Sequence, residues 1–310
     1  MLAPIVMFAF NRPQQLQHTL TALAQSTLAK QSCLTIFCDG PRTDKEKNAT
    51  DATRAVARSA AGFAALEVME REKNMGCAAS VIDGLTHMFS TCDRVIVMED
   101  DVLCSPYTLD FLNNCLDRYE EETTVFNISA WSPPPTLLPI PSAYPYDVYY
   151  IPRFNCSGGW ATWKDRWQKI DWDVPDYTLF SATPTLQKAF NIGGEDLSPM
   201  LRAQLAEKTI DSWAIQMDYA RFKHGCLGLN PVRSYTTNIG FGSGTHTTTA
   251  TTRWDNDIHH ALPSPRLPEH VFVDADIQRA YKAVYAPPPL HVRAINKLGR
   301  LVLGKNLIER

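Results

Sequence analysis

The sequence has no hydrophobic run of the roughly 18 residues that a membrane-spanning helix needs. The apolar stretch at 5–10 is short and has no basic leader, so it predicts a first strand rather than a signal peptide. Basic residues are not in excess either, since the formal net charge is −3, and no positive field indicates nucleic-acid binding. We therefore expect a cytoplasmic protein that binds no nucleic acid.

The eight cysteines form no Cys-x-x-Cys pair. Most stand in apolar surroundings, which is typical of free buried thiols in a reducing compartment and not of a zinc site or a disulfide framework. The glycine-rich stretch at 240–246 does not follow a first strand, so it does not fit the dinucleotide-binding fingerprint. These absences leave the acidic and polar ends of predicted strands as the informative features.

Strand-like apolar runs alternate with helical patterns along the first part of the chain. The predicted strands are 5–10, 34–38, 66–70, 94–99 and 125–129, with helices between them. Such alternation predicts an α/β fold with a mostly parallel, twisted sheet, flanked by helices, whose loops gather at one edge.

The pattern changes after Trp131, where a proline-rich crossing begins. Three tryptophans, Trp160, Trp163 and Trp167, stand at helical spacing and predict an aromatic-rich helix, and a second helix is predicted from 207 to about 224. The glycine- and threonine-rich segment 235–252 is predicted to be a flexible loop.

We divide the chain into a main domain, 1–250, and a C-terminal extension, 251–310. The main domain comprises a first half, 1–131, and a second half, 132–250. The tail from 291 onward alternates basic and apolar residues, which predicts a basic amphipathic helix. That helix either lies on an anionic membrane surface or packs on the domain.

The acidic triplet Glu99-Asp100-Asp101 ends the apolar run that begins at Arg94. Three adjacent carboxylates at the end of a buried strand repel one another and lose hydration, so a positive partner is expected. Mg²⁺ and Mn²⁺ take oxygen ligands and often bind through one or two carboxylates together with substrate phosphates. The alternative is an acidic turn in which Asp101 or Ser105 caps the next helix.

Three further polar residues stand where other predicted strands and turns end. Arg12 could pair with phosphates, Asp39 could accept a hydrogen bond from a base or ribose, and the turn beginning at Asn74 could present backbone N–H groups to a ligand. Each has an ordinary alternative, as a surface arginine, a turn aspartate or a plain turn. Their shared position at the carboxyl ends of strands is the stronger signal.

Later in the chain, Asp211 opens the helical run Asp211-Ser-Trp-Ala-Ile, where its carboxylate is either a general base or a cap of that helix. Gly159 and Trp160 could shape a sugar subsite, because aromatic faces stack on sugar rings; the alternative is core packing of Trp160. His246 could be a further metal ligand or a phosphate contact, although a lone loop histidine is more often neither.

Several motifs occur in an order that resembles a known family. They are Asn11-Arg12, Phe37-Cys-Asp39, Val95-Ile-Val-Met-Glu-Asp-Asp101, Ile128-Ser-Ala-Trp131, Gly158-Gly-Trp160, Asp211-Ser-Trp213, and Asn238-Ile-Gly followed by Gly244-Thr-His246. The chain resembles GT-A fold glycosyltransferases similar to N-acetylglucosaminyltransferase I, glycosyltransferase family 13, from about 4 to 247. The segment between Trp167 and Asp211 departs from the family pattern.

The resemblance implies an inverting transferase that uses a UDP-sugar and Mn²⁺ or Mg²⁺. It implies that Asp101 is the direct metal ligand, that Glu99 and Asp100 contact the donor sugar and ribose, and that Arg12 and Asp39 hold the uridine diphosphate. It also implies that Asp211 is the catalytic base, and that the Gly-Thr-His loop closes over the donor. On this resemblance, 1–131 is the nucleotide-sugar-binding half and 132–250 is the acceptor-side half.

The sequence therefore predicts a hexosyl- or N-acetylhexosaminyltransferase of bacterial type that acts in surface polysaccharide synthesis. Its acceptor would be a glycan or a lipid-linked precursor, with the tail as a peripheral membrane contact. Two alternatives stay open at this point. One is a non-catalytic module that binds a nucleotide sugar or glycan, and the other is a retaining transferase.

Overall fold

A computed structural model describes residues 1–155, 158–240, 251–287 and 289–303, with the backbone alone at 293, 294, 298 and 300–303. The strands in this part of the chain are β1 (Ile5–Ala9), β2 (Cys33–Cys38), β3 (Ala65–Glu70), β4 (Arg94–Glu99), β5 (Val102–Cys104), β6 (Val125–Ser129), β7 (Val148–Ile151), β8 (Trp160–Trp163), β9 (Leu227–Pro231) and β10 (Thr236–Asn238).

The α-helices of the same residues are α1 (Pro13–Ala24), α2 (Lys47–Arg58), α3 (Cys77–Met88), α4 (Thr108–Arg118), α5 (Lys164–Trp167), α6 (Tyr177–Ala182), α7 (Pro184–Phe190), α8 (Leu197–Arg202), α9 (Trp213–Lys223), α10 (Ala275–Val284) and α11 (Leu290–Leu303). Short 3-10 helices occupy Ala29–Gln31, Asp44–Glu46 and Asn191–Gly193, and one π-helical turn occupies Ala203–Glu207.

Eight strands form one sheet in the order β3-β2-β1-β4-β8-β6-β9-β7. β1 runs parallel to both β2 and β4, β2 runs parallel to β3, and β6 runs parallel to β9. β8 is antiparallel to its neighbours β4 and β6, and β7 is antiparallel to β9. The predicted α/β class, with a mostly parallel sheet flanked by helices, is confirmed.

The strand order reverses beside β1. The chain builds β1, β2 and β3 outward in one direction and then returns to place β4 on the other side of β1. In open α/β sheets, ligands bind at such a switch point, outside the carboxyl ends of the strands. The residues that follow β1 and β4 are therefore the first place to look for a functional site.

Both faces of this sheet are buried under helices. Along β1, Ile5 and Met7 join the apolar cluster that includes residues of α1 and α4, whereas Val6 joins the cluster that includes residues of α3 and α9. This alternation follows from the two-residue period of a strand. Because both faces are covered, the central strands are continuous apolar runs.

The helix predicted from Trp160, Trp163 and Trp167 is wrong. Trp160 to Trp163 form strand β8, and a helix begins only at Lys164. Residues three apart share a face on a helix but lie on opposite faces of a strand. Accordingly, Trp160 belongs to the cluster on the α3 side and Trp163 to the cluster on the α1 side.

Two other predicted segments differ in extent. The helix expected from 207 begins at Trp213, because Lys208 adopts a left-handed conformation (φ 53°) after the preceding helical turn. The loop expected at 235–252 contains β10, which pairs with β5 in a second, two-stranded sheet. Residues 241–250, which include His246, lie outside the described part of the chain.

The C-terminal extension begins with an irregular segment and continues as two helices. α10 is capped by Asp274 and packs Ile277 and Tyr281 against Tyr149 and Ile151 of β7. None of the helices described is both long and apolar enough to cross a membrane.

Candidate functional site

Arg12 joins the ends of β1 and β4. Its Nη1 donates to Asp101 Oδ2 at 2.8 Å, and its Nη2 donates to Asp100 Oδ1. Both carboxylates are nearly buried, with Asp100 3% and Asp101 7% exposed. Because β1 and β4 are parallel neighbours, Arg12 and the acidic triplet emerge side by side at the switch point. The structure thus brings together three of the predicted site residues.

Asp101 does not cap the following helix. The N-cap of α4 is Tyr107, which makes no side-chain capping bond, while the Ser105 hydroxyl accepts from the Tyr107 N–H at 3.2 Å and lies 3.4 Å from the Thr108 hydroxyl. Asp101 instead uses its second oxygen, Oδ1, to accept from Asn238 Nδ2 at 3.1 Å. The capping alternative for Asp101 is therefore wrong, and both of its carboxylate oxygens face polar partners.

Asn238 belongs to the site because of the β5–β10 ladder. β5 starts directly after Asp101, and its antiparallel partner β10 ends at Asn238. The next residue, Ile239, donates its backbone N–H to the Asp101 carbonyl at 2.8 Å. Sequence reasoning placed Asn238 in a motif block but gave it no role, because nothing local indicates that β10 pairs with β5.

Gly240 approaches the same carboxylate through its backbone. A Cβ at this position would lie 1.9 Å from Asp101 Oδ2 and 3.1 Å from Arg12 Nη1. Its N–H donates to Asn238 Oδ1 at 2.7 Å. Only glycine fits between Arg12 and Asp101 without moving one of them.

Thr19, on α1, hydrogen-bonds to the backbone of the turn between β4 and β5. Its hydroxyl donates to the Asp100 carbonyl at 3.0 Å and accepts from the Val102 N–H at 3.1 Å. Thr19 is fully buried on the core-facing side of α1. The only sign of this role in the sequence is that Thr19 is a polar residue among the apolar positions of an amphipathic helix. Sequence reasoning gave Thr19 no role.

The site holds more negative than positive charge. Burial raises the pKa of Glu99 above its ordinary value, and the Asp101 and Asp100 carboxylates raise it further. Burial also raises the pKa of Asp100, although Arg12 opposes the shift. For Arg12, burial lowers the guanidinium pKa, but Asp100 and Asp101 outweigh it and the net pKa is raised. With all three carboxyl groups ionised, one guanidinium would leave an excess of negative charge, and the raised pKa values of Glu99 and Asp100 follow from that excess together with burial.

That excess charge fits a divalent cation. No group of three histidine, cysteine, aspartate or glutamate side chains suited to metal binding occurs among the described residues. A cation at Asp101 would therefore depend on further oxygens from a second molecule, as Mg²⁺ commonly does with substrate phosphates. The predicted contribution of His246 falls outside the described residues.

Asp39 and Asn74 hold a turn against the end of β2. The Asp39 carboxylate accepts backbone N–H groups from Gly40 and Met75, both at 2.9 Å, and from Gly76 at 3.2 Å. Asn74 Nδ2 donates to the Gly40 carbonyl at 2.9 Å. Both residues thus have a structural role at the sheet edge, and their contact with a nucleotide stays a prediction.

Asp211 caps a helix, but not the one expected. Its Oδ2 accepts the N–H groups of Cys77 at 2.9 Å and Ala78 at 3.3 Å, which open α3. The N-cap of α9 is Ser212, which makes no side-chain capping bond. The alternative in which Asp211 caps its own helix is therefore wrong.

Cys77 links Asp211 to the acidic triplet. Its thiol pKa is raised by desolvation first, and then by the carboxylates of Glu99 and Asp211. Both carboxylates therefore lie within electrostatic reach of the N-terminus of α3.

Trp160 packs in the core. It is fully buried, stacks on Trp213 at a ring distance of 5.1 Å, and meets Phe154 edge to face at 5.1 Å. Gly159 has φ +87°, and a Cβ there would lie 2.7 Å from Met98 Sδ. These contacts correct the prediction for Trp160, because its ring offers no face to a sugar, and they give Gly159 a packing role.

No protein-family model matches the sequence, and no curated protein sequence is significantly similar to it. Among solved structures, the chain is similar to the galactosyltransferase LgtC in complex with donor and acceptor sugar analogues, with 11% identity over 94% of this chain and 99% of that chain and a TM-score of 0.39.

Two further similarities cover shorter parts. TarS from S. aureus shows 16% identity over 51% of this chain, with a TM-score of 0.29, and the chain spans 22% of it. The glycosyltransferase GlyE of Streptococcus pneumoniae shows 11% identity over 74% of this chain, with a TM-score of 0.36, and the chain spans 45% of it. All these TM-scores are low, so the similarities assign no activity.

Proposed function

We propose that this protein is a GT-A glycosyltransferase that transfers a hexose or N-acetylhexosamine from a UDP-sugar to a glycan or lipid-linked acceptor. The observation that carries the proposal is the Arg12 guanidinium bound to Asp100 and Asp101 at the switch point of the sheet. A guanidinium beside excess carboxylate charge suits a ligand that contains both a diphosphate and a divalent cation. The resemblance in motif order supports the same reading.

In this function Asp101 binds the metal, Mn²⁺ or Mg²⁺, and Arg12 pairs with the diphosphate. The bound metal supplies charge stabilisation for the leaving diphosphate. Asn238 and Gly240 hold the Asp101 carboxylate in place. Half-buried Glu99 lies at the carboxyl end of β4, where the resemblance assigns it to the donor.

Asp211 is the proposed general base. Its Oδ2 is fixed by two N–H groups of α3, while its Oδ1 has no hydrogen bond among the described residues. The carboxylate form of an aspartate is the form able to take a proton. Asp211 would accept the proton of the acceptor hydroxyl as that oxygen bonds to the anomeric carbon and the bond to the diphosphate breaks.

Attack from the face opposite the leaving group inverts the anomeric configuration. An NMR measurement of the product anomer separates this reaction from a retaining one. A β-linked product from an α-linked donor supports the inverting reaction with Asp211 as base. An α-linked product contradicts it.

The C-terminal helix supports a peripheral membrane contact, which would suit a lipid-linked acceptor at the cytoplasmic face. Leu290 is 79% exposed and Ile295 is 37% exposed, and the polar side chains of His291 and Lys297 are exposed on the same helix. Exposed apolar residues beside basic ones are typical of helices that lie on anionic membranes.

The test is calorimetric titration of the purified chain with a panel of nucleotide sugars, with and without Mn²⁺. Mn²⁺-dependent binding of one UDP-sugar, followed by transfer of its sugar to an acceptor, is the expected result. If the folded protein binds a nucleotide sugar without ever transferring it, the non-catalytic module replaces the enzyme. If it binds none with Mn²⁺ present, the assignment of the acidic triplet is wrong.

A further inference from the structure

Arg12 and a divalent cation need the same carboxylate oxygen. The guanidinium binds Asp101 Oδ2 at 2.8 Å and bonds Asp100 Oδ1 at the same time. The other Asp101 oxygen is taken by Asn238 at 3.1 Å. A metal bound at Oδ2 would stand beside a guanidinium that already compensates that charge, and two cations at such short range repel each other strongly.

Of the two described side chains that bind the Asp101 carboxylate, Arg12 is the one that can move. Asn238 is anchored at the end of β10, and its side-chain oxygen holds the Gly240 N–H at 2.7 Å. The Arg12 side chain is 23% exposed and its guanidinium stands at the end of a long flexible stem. Leaving Asp101 and Asp100 costs this guanidinium two ion pairs, so departure needs another anion of matching geometry.

A diphosphate is such an anion. Guanidinium groups bind phosphate oxygens in the bidentate geometry that they use with carboxylates. The Asp100 and Asp101 oxygens that Arg12 now holds lie at the switch point, where the donor of the proposed function would place its phosphates. A short side-chain movement would therefore exchange one set of partners for the other.

We propose that Arg12 acts as an internal competitor of the metal at Asp101, and that the donor's diphosphate relieves this competition by taking the guanidinium. The proposal rests on the proposed function for the identity of the diphosphate. Metal and nucleotide diphosphate would then bind with positive coupling, and each would bind weakly without the other. The coupling factor must be the same from either side, because binding linkage is reciprocal.

The experiment compares wild type with Arg12→Gln and Arg12→Lys. Binding of Mn²⁺ to the nucleotide-free protein is followed by the electron paramagnetic resonance signal of free Mn²⁺, and UDP binding is followed by calorimetry with and without Mn²⁺. Arg12→Gln removes the competing charge, so it should bind Mn²⁺ alone about tenfold more tightly than wild type. In saturating Mn²⁺ it should bind UDP about tenfold more weakly, because the phosphate contact is lost.

Arg12→Lys is the conservative variant. Its ammonium keeps the positive charge but cannot bind two carboxylates in parallel, so Mn²⁺ affinity should lie between those of wild type and Arg12→Gln. Arg279→Gln is the matched control, since Arg279 is 76% exposed on α10 and pairs with Asp276. This control should change neither affinity.

Unchanged or weaker Mn²⁺ binding by Arg12→Gln, with a thermal transition like that of wild type, would overturn the competition. The measurements distinguish failure of the competition proposal from failure of the proposed function. Wild-type sugar transfer with no gain of Mn²⁺ affinity in Arg12→Gln removes the competition and keeps the transferase. Tighter Mn²⁺ binding by Arg12→Gln, with no UDP binding by any form, keeps the competition at Asp101 and removes the transferase.

Discussion

The carboxylate of Asp211 caps the helix that begins at Cys77, which lies 134 residues earlier in the chain. A residue from the second half of the predicted main domain, 132–250, thus closes the N-terminus of a helix in the first half, 1–131. Removing this carboxylate should lower the stability of α3 and should also impair the chemistry of the site. Different substitutions of Asp211 can separate these two effects.

Asp211→Asn should lose catalysis but keep the fold. The amide oxygen still accepts the N–H groups of Cys77 and Ala78, whereas the amide cannot take a proton from an acceptor. We expect turnover to fall by about 10²- to 10⁴-fold, with UDP-sugar affinity retained. Asp211→Ala should in addition lower the free energy of unfolding by about 1 kcal/mol, measured by urea denaturation.

Asp274 supplies the control for this pair of variants. Its Oδ1 caps α10 by accepting two backbone N–H groups, both at 3.0 Å, much as Asp211 caps α3. Asp274→Ala should therefore cost a similar free energy of unfolding and leave turnover unchanged. Wild-type turnover by Asp211→Asn would limit Asp211 to its capping role and remove it as the base.

Asp101→Asn should abolish the effect of Mn²⁺ on UDP binding. The amide is a weaker metal ligand than a carboxylate, and its NH₂ group is a donor that cannot pair with Arg12. Chelation of metal from the wild-type protein should have the same effect in calorimetry. Asp117→Asn is the control, because Asp117 pairs with Arg94 at the opposite end of β4. If Mn²⁺ strengthens UDP binding as much in Asp101→Asn as in wild type, the metal binds at a site other than Asp101.

Gly240→Ala should weaken Mn²⁺-dependent UDP binding by about tenfold, because its Cβ would force the Asp101 carboxylate or Arg12 to move. The unfolding free energy should fall by less than about 1 kcal/mol, since the clash involves side chains at the sheet edge. Gly225→Ala should show the reverse pattern. Gly225 has φ +63° and open space around it, so an alanine costs about 1 kcal/mol of strain and leaves UDP binding intact.

Trp160→Ala should destabilise the protein by about 3–5 kcal/mol, because it removes a fully buried ring from the stack with Trp213. Trp160→Phe retains part of that packing and should keep UDP-sugar affinity, as measured by calorimetry. A stable Trp160→Phe protein with weakened binding of the UDP-sugar but not of UDP would restore the sugar subsite that the sequence predicted.

Deleting residues from Leu290 onward should abolish co-sedimentation with vesicles of anionic lipid. The double variant Leu290→Asn with Ile295→Asn should reduce it, with little change in unfolding free energy because both side chains are exposed. Leu179→Asn is a control of similar chemistry, since Leu179 is 65% exposed on α6. Unchanged vesicle binding by the deletion would remove the membrane proposal for α11.

The amino-acid sequence could predict which site residues come together at the ends of neighbouring parallel strands. Arg12 follows β1, Glu99 ends β4 and Asp100 and Asp101 follow it. Two neighbouring parallel strands bring such residues together without further information. The same logic placed Asp39 near the sheet edge. The hydrogen-bond partners of these side chains could not be predicted, because some of the partners belong to loops from later in the sequence.

The remaining features depend on pairings between distant segments. Asn238 reaches Asp101 through the β5–β10 ladder, and Asp211 reaches α3 through tertiary packing. Trp160 and Trp163 are three positions apart, which fits one face of a helix as well as two faces of a strand. The spacing alone could not distinguish a helix from a strand. This segment is a strand because it inserts between β4 and β6 and pairs with both.

Strand β8 also constrains how the protein is made. It pairs on one side with β4 and on the other with β6, although it follows both of them in the chain. Until residues 160–163 have left the ribosome, a nascent chain carries two strands with open edges, and such edges recruit other strands. Completion of the sheet must therefore wait for synthesis of β7, β8 and β9, and a chain truncated at 131 would keep one edge of β4 and both edges of β6 unpaired.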